Sequence, residues 1–169
     1  MTDVAGSEKK DHQHHNHHKI VDGLRTVFLA KEGAADLMAD LFAVDGVYET
    51  MFTLPGMPTR FEGRDVIREH LRTRLGGAAA VLDTREANLT TYPGADPEIL
   101  VVSVELVGFS HGTNSDFRIN SSLGVLRIRG GEIVTYNDYP NAVGGSAAAG
   151  SLDKLGALLI SVAGQQSGS

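Results

Sequence analysis

The stretch IVTYNDYPN (133–141) carries a carboxylate, Asp138, two residues before Pro140 ends what reads as a strand. Strict alternation places Asp138 on the same strand side as Val134 and Tyr136. Two environments fit it. One is a turn at the strand's end, where Asp is common. The other is a pocket walled by Val134, Tyr136 and helix side chains. In such a pocket, loss of water raises a carboxyl pKa toward neutrality, where the group can take and return a proton. That chemistry suits proton transfer at the carbon next to a carbonyl, as in enolisation, aldol ring closure or isomerisation.

Other residues with usable chemistry surround this one in the sequence. RDVIREHLRTRL (64–75) puts Val66, Ile67, His70, Leu71 and Leu75 on one helical face. His70 is there either as a core histidine with a backbone partner, or as a second acid/base or neutral donor opposite Asp138. GVYETMF (46–52) alternates Tyr48, Thr50 and Phe52 against Val47, Glu49 and Met51. Tyr48 either offers its phenol to a substrate oxygen or packs with its hydroxyl at the rim. Glu105 interrupts the apolar strand EILVVSVELVGF (98–109). Alternation puts Leu100, Val102, Val104 and Leu106 on the purer core side, so Glu105 faces water or a mixed pocket wall. Tyr48, Phe52, Glu105 and Tyr136 are therefore the candidate substrate contacts.

Positioning these groups requires a scaffold. Ile20, Leu24, Val27 and Phe28 recur at helical spacing, and Leu37, Met38, Leu41 and Phe42 mark a second helix beyond Gly33. LPGMP (54–58) is a turn. After the helix at 64–75 the texture changes to strands at 82–92, 98–109 and 117–129, and the Gly130-Gly131 hairpin leads into the strand at 132–139. Grouped helices followed by antiparallel strands predict an α+β fold: a curved, mostly antiparallel sheet wrapped round three helices from the N-terminal half, forming a cone with an internal pocket. Residues 1–15 read as a disordered, His-rich tail, 16–145 as the domain, and 146–169 as a flexible link and a capping helix. The link's Ala, Gly and Ser begin at 142, and the helix through Leu152, Leu155, Leu158 and Leu159 is expected to close the sheet's open end.

Composition narrows the function. The 169 residues carry a net charge of −6 with no basic face, which argues against nucleic acid. The sequence has no Cys, excluding thiolate chemistry and disulfides, and a cytoplasmic location is expected. No apolar run approaches the roughly 20 residues of a membrane span, and the N-terminus lacks a signal-like apolar region. His12, His14, His15, His17 and His18 read as a solvated tail, with no metal site expected. No nucleotide loop is present, and no cofactor is expected.

Three stretches, LFAVDGVYETMF (41–52), FEGRDVIREHL (61–71) and GGEIVTYNDYPN (130–141), resemble the nuclear transport factor two / ketosteroid isomerase superfamily, which includes the SnoaL-like polyketide cyclases. The resemblance covers residues 16–145. In phenazine-biosynthesis A/B-type proteins, a His on the third helix and an acid on the last strand act on a ketone–amine condensation; the matching positions are His70 and Asp138. HHKIVDGL (17–24) is also similar to the start of that branch. In limonene epoxide hydrolase-like enzymes, Tyr48 and Asp138 match, whereas the middle Arg-x-Asp pair is replaced by Ser103 and Glu105.

The resemblance implies an acid/base enzyme, a cyclase or isomerase acting on a hydrophobic, carbonyl-bearing small molecule in natural-product biosynthesis. It implies Asp138 and His70 as catalytic residues. A homodimer is expected through the stripe Arg118, Asn120 and Ser122. The alternatives are an epoxide hydrolase or epoxide-opening cyclase, marked by an Arg reaching Asp138 (Arg118 being the sequence's stand-in), and a non-catalytic binding module.

Overall fold

The structure is a computed structural model describing residues 4–166, with side chains described for residues 13–164. Its elements are α1 (Val4–Leu29), α2 (Ala34–Ala39), β1 (Phe42–Thr50), β2 (Arg60–Glu62), α3 (Arg64–Ala79), β3 (Leu82–Pro93), β4 (Ile99–Ser110), β5 (Ser115–Arg129), β6 (Glu132–Pro140), α4 (Ala142–Ala148) and α5 (Leu152–Gln166). The strands form one curled sheet in the order β2-β1-β6-β5-β4-β3. Every pairing is antiparallel except β1 with β6, because all of α3 to β5 lies between these two in sequence. Gly130 and Gly131, with φ of 60° and 79°, make the tight β5–β6 turn. The predicted α+β cone is the observed architecture. No described helix is long and apolar enough to cross a membrane.

The concave face holds the core: Leu100, Val102 and Val104 of β4, Leu126 and Ile128 of β5, and Ile133 of β6 pack against Ile20 and Leu24 of α1 and Ile67 of α3. Each such side chain contributes about 1.5–3 kcal/mol by leaving water. The Gly63-Arg64 start of α3 has a structural reason. Gly63 sits at φ 90°, and Arg64 Nε donates to the Phe42 carbonyl at 2.8 Å. That bond fixes the N-terminus of α3 on β1 and so sets which α3 side chains meet the sheet.

Several expectations need correction. The tail is helical from Val4, because the buried stripe of Ile20 and Leu24 extends back to His17, and Gln13 Nε2 donates to the Ile128 carbonyl at 3.1 Å. The side chain of His12 lies outside the described residues. Phe42 belongs to β1, drawn into the sheet by the Ile133 N–H bond to the Leu41 carbonyl at 2.8 Å. The short edge strand β2 was not anticipated. Residues 142–148 are a helix, because Asn141 caps it by accepting from Gly144 N–H at 2.8 Å. The helix α5 exists but packs on α4, leaving Ile160 75% exposed, so it does not close the sheet.

Two bulges shift the inside–outside phase. Ser121 has no partner between the pairs Val104–Ser122 and Glu105–Asn120, so Ser122 turns inward with Val104. The expected stripe therefore loses Ser122, while Leu123 beside it is 38% exposed. Val134 is the extra residue on β6, so Ile133, Tyr136 and Asp138 share the inner face rather than Val134, Tyr136 and Asp138.

Candidate functional site

Between the sheet, the end of α1 and the inner face of α3 lies a cavity of about 550 Å³, walled by Val27, Met38, Leu71, Leu75, Leu82 and Ile119. Asp138 opens into it and is 4% exposed. The neighbouring strand β1 runs parallel to β6 and brings Tyr48 beside Tyr136. The Tyr48 hydroxyl donates to Asp138 Oδ2 at 2.6 Å, and Arg74 Nη2 pairs with the same oxygen at 2.7 Å. Asp138 Oδ1 is buried and has no hydrogen-bond partner. Burial pushes the carboxyl pKa up, while the charge and hydrogen bond of Arg74 oppose the rise without cancelling it. A buried carboxylate at the wall of an apolar cavity, with its pKa raised and one oxygen held by two donors, has the character of a positioned base.

Tyr136 also lines the cavity. Its ring lies across Gly124, the cross-strand partner of Asp138, where an added Cβ would stand 2.4 Å from Tyr136 Cε2. Burial, followed by the charge of Asp138, drives its phenol pKa upward, so it remains a protonated donor.

His70 is not a cavity group. It stacks on Phe61 with ring centroids 3.7 Å apart and stands 5.6 Å from the Tyr48 ring. Its Nε2 is buried without a hydrogen-bond partner, and burial lowers its pKa against the pull of Asp138. It therefore backs Tyr48, and the polar partners of Asp138 are Tyr48 and Arg74. Arg74 was missed, although a signal existed. It follows His70 by four and Leu71 by three, which places a guanidinium on the helix's buried stripe.

Two expected substrate contacts lie elsewhere. Phe52 is 86% exposed at φ 50° and packs edge-on against Tyr139, because the chain leaves the sheet after the Met51 N–H bond to the Asp138 carbonyl. Glu105 is on the outer sheet face, where it accepts from Asn88 Nδ2 at 3.1 Å and pairs with Arg118. Arg118 is thereby held away from Asp138. Glu105→Gln is expected to leave turnover within twofold of wild type and to change stability by less than about 1 kcal/mol, as an exposed pair should; parallel activity assays and urea titrations check both.

The rim carries groups that sequence reading did not assign to the site. Ser121 and Ser122 reach the wall through the bulge, Thr84 adds a hydroxyl, and His111 is exposed at the cavity's edge. Lys31 Nζ pairs with Asp83 at 3.2 Å beside it and holds the Asp83 carboxyl below its usual pKa.

No protein-family model matches the chain. An uncharacterised PhzA/B-like protein of Pseudomonas aeruginosa is 34% identical over 140 residues, spanning 79% of this chain and 93% of that one. Among solved structures, a Bacillus subtilis protein described as a candidate isomerase aligns with TM-score 0.67 at 21% identity, covering 82% of this chain and 96% of that chain. A phenazine biosynthesis-related protein of Pseudomonas aeruginosa aligns with TM-score 0.58 at 18% identity, covering 89% and 87%. SalBIII, an epoxide hydrolase/cyclase-like enzyme of pyran ring formation in the polyether salinomycin, aligns with TM-score 0.54 at 16% identity, covering 80% and 96%. At these identities the structures establish the fold alone, a ketosteroid isomerase-like cone. With more than nine-tenths of the curated relative matched at 34% identity, the chain belongs to the PhzA/B-like family.

Proposed function

We propose that the chain is an acid/base enzyme, a cyclase or isomerase, that moves a proton at the carbon next to a carbonyl in a hydrophobic small molecule of natural-product biosynthesis. The observation that carries this reading is Asp138: buried at the cavity wall, with Oδ2 fixed by Tyr48 and Arg74 and Oδ1 unpartnered. In this reading the Asp138 carboxylate removes the proton, and the electron pair of the C–H bond moves onto the carbonyl oxygen as an enolate. The Tyr136 hydroxyl, and N–H groups of Arg74, both at the cavity wall, are the donors for the developing oxyanion. The proton then returns to a different carbon in an isomerisation, or the enolate carbon closes a ring on a second carbonyl.

A second reading is favoured by one observation, the Arg74–Asp138 pair at 2.7 Å. It is epoxide opening, with Asp138 as base for the attacking hydroxyl or water and Tyr136 as donor to the epoxide oxygen. Incubating the chain in D2O with a panel of hydrophobic cyclic ketones tests the first reading: deuterium should enter the α-carbon faster than in buffer. No exchange with the ketones, but opening of hydrophobic epoxides with oxygen-18 from labelled water, would replace it with the second. Failure of both, with ligands bound equally by wild type and Asp138→Asn, would leave a binding module.

A further inference from the structure

We propose that His14 and His18 form a two-imidazole clip for a first-row divalent cation, zinc or nickel, on the exposed side of α1. Both residues are exposed and lie within one continuous helix, four positions apart. Residues at that spacing stand one above the other, with about 5–6 Å between Cβ atoms, a distance two imidazole nitrogens can bridge through one metal. A His-rich segment that lacks structure offers no such fixed pair. Here the backbone is held from the opposite side of the helix. His17 is buried, Gln13 Nε2 donates to the Ile128 carbonyl at 3.1 Å, and the same nitrogen stands 3.2 Å from His17 Nε2. These contacts fix the rotation of the helix about its axis, so His14 and His18 point away from the sheet together, and His17 is withheld from the metal.

Imidazole suits zinc and nickel. Among the described residues no group of three or more His, Cys, Asp or Glu side chains converges, so the pair alone is the described protein contribution to the site. The site lies near the middle of α1, whereas the cavity is lined by its last turn, from Val27 to Leu29. The cation's effect is therefore on the docking of this helix rather than on the acid/base chemistry.

Because the pair exists only when α1 is folded, the cation should stabilise the native chain by mass action. The test is thermal unfolding of the full chain with added zinc chloride in a non-chelating buffer. At free zinc about tenfold above the dissociation constant, the melting temperature should rise by about 3–6 °C. His14→Ala and His18→Ala, both on the exposed face, should fold normally and each lose this shift, while His15→Ala should keep it. An unchanged or lowered melting temperature in wild type would mean that zinc meets the unfolded histidines as well as the folded ones, and would overturn the clip. So would a shift that survives His14→Ala or His18→Ala, or one that vanishes only in His15→Ala.

Discussion

Asp138→Asn is expected to reduce turnover about a hundredfold or more while leaving the fold intact. The amide is the same size as the carboxylate. Its oxygen can still accept from Tyr48 and Arg74, and its nitrogen takes the place of the unpartnered Oδ1. What disappears is the lone pair that accepts the substrate's proton. Arg74 loses its counter-charge, but its side chain is 32% exposed and remains hydrated, so the stability change should stay within about 1 kcal/mol. Exchange of the α-proton in D2O, together with a urea titration, measures both. Wild-type exchange in the Asn variant would remove Asp138 from the chemistry and leave the cavity as a binding site.

Arg74→Met should have the second largest effect, by a different route. Arg74 supplies the opposing charge that limits how far burial raises the Asp138 pKa. Without it the carboxyl stays protonated to higher pH, and a protonated carboxyl is no base. Turnover at pH 7 should fall about tenfold to a hundredfold, and the acid limb of the pH–rate profile should move to higher pH. That displacement separates the role of Arg74 from simple packing, which would lower the rate at every pH. Stability follows the same linkage. A carboxyl whose native pKa lies above its unfolded value binds its proton more tightly when folded. Its contribution is therefore fully present below the unfolded pKa and is lost as pH rises through the native one. In Arg74→Met that native value is higher still, so the variant's deficit should be small at low pH and grow as pH rises through the native pKa. Its ceiling is the about 3–5 kcal/mol cost of breaking a buried pair, reduced because Asp138 can protonate instead.

Much of this site was legible in the sequence. The order of helices and strands predicted the cone, and the acid at the end of β6 lies inside it as expected. Strand phase places Asp138 inward, although by a partly wrong path. It took Val134 as an inward neighbour, whereas Val134 is a bulge residue and Ile133 is the inward one. Alternation cannot announce a bulge, since one extra residue on one strand becomes visible only against its partner strand. The same blindness put Ser122 on one stripe with Arg118 and Asn120. Alternation succeeded along β4, which has no extra residue of its own, and separated Glu105 from the core set correctly, leaving its environment open. Arg74 escaped notice because the helix face was assigned from its apolar residues and His70 alone, and only the fold brings its guanidinium against a buried carboxylate. His70 was placed on the right helix face, but the depth of the cavity is set by Tyr48, which stands between the cavity and the imidazole. The helical N-terminal segment was hidden by composition. Its polar residues contribute little apolar periodicity, and the hydrogen bond that anchors them ends on a backbone carbonyl 115 positions away.

The proposed chemistry needs a carboxyl that burial holds above its ordinary pKa while Arg74 keeps it within reach of a proton-transfer role. A carbon-13 NMR titration of the Asp138 carboxyl reads this directly, with Asp138→Asn identifying the resonance. The midpoint should lie above the ordinary 3.8, and higher again in Arg74→Met. A midpoint at or below 3.8 in wild type would show that the ion pair outweighs burial, and Asp138 would then be a structural anion rather than the base.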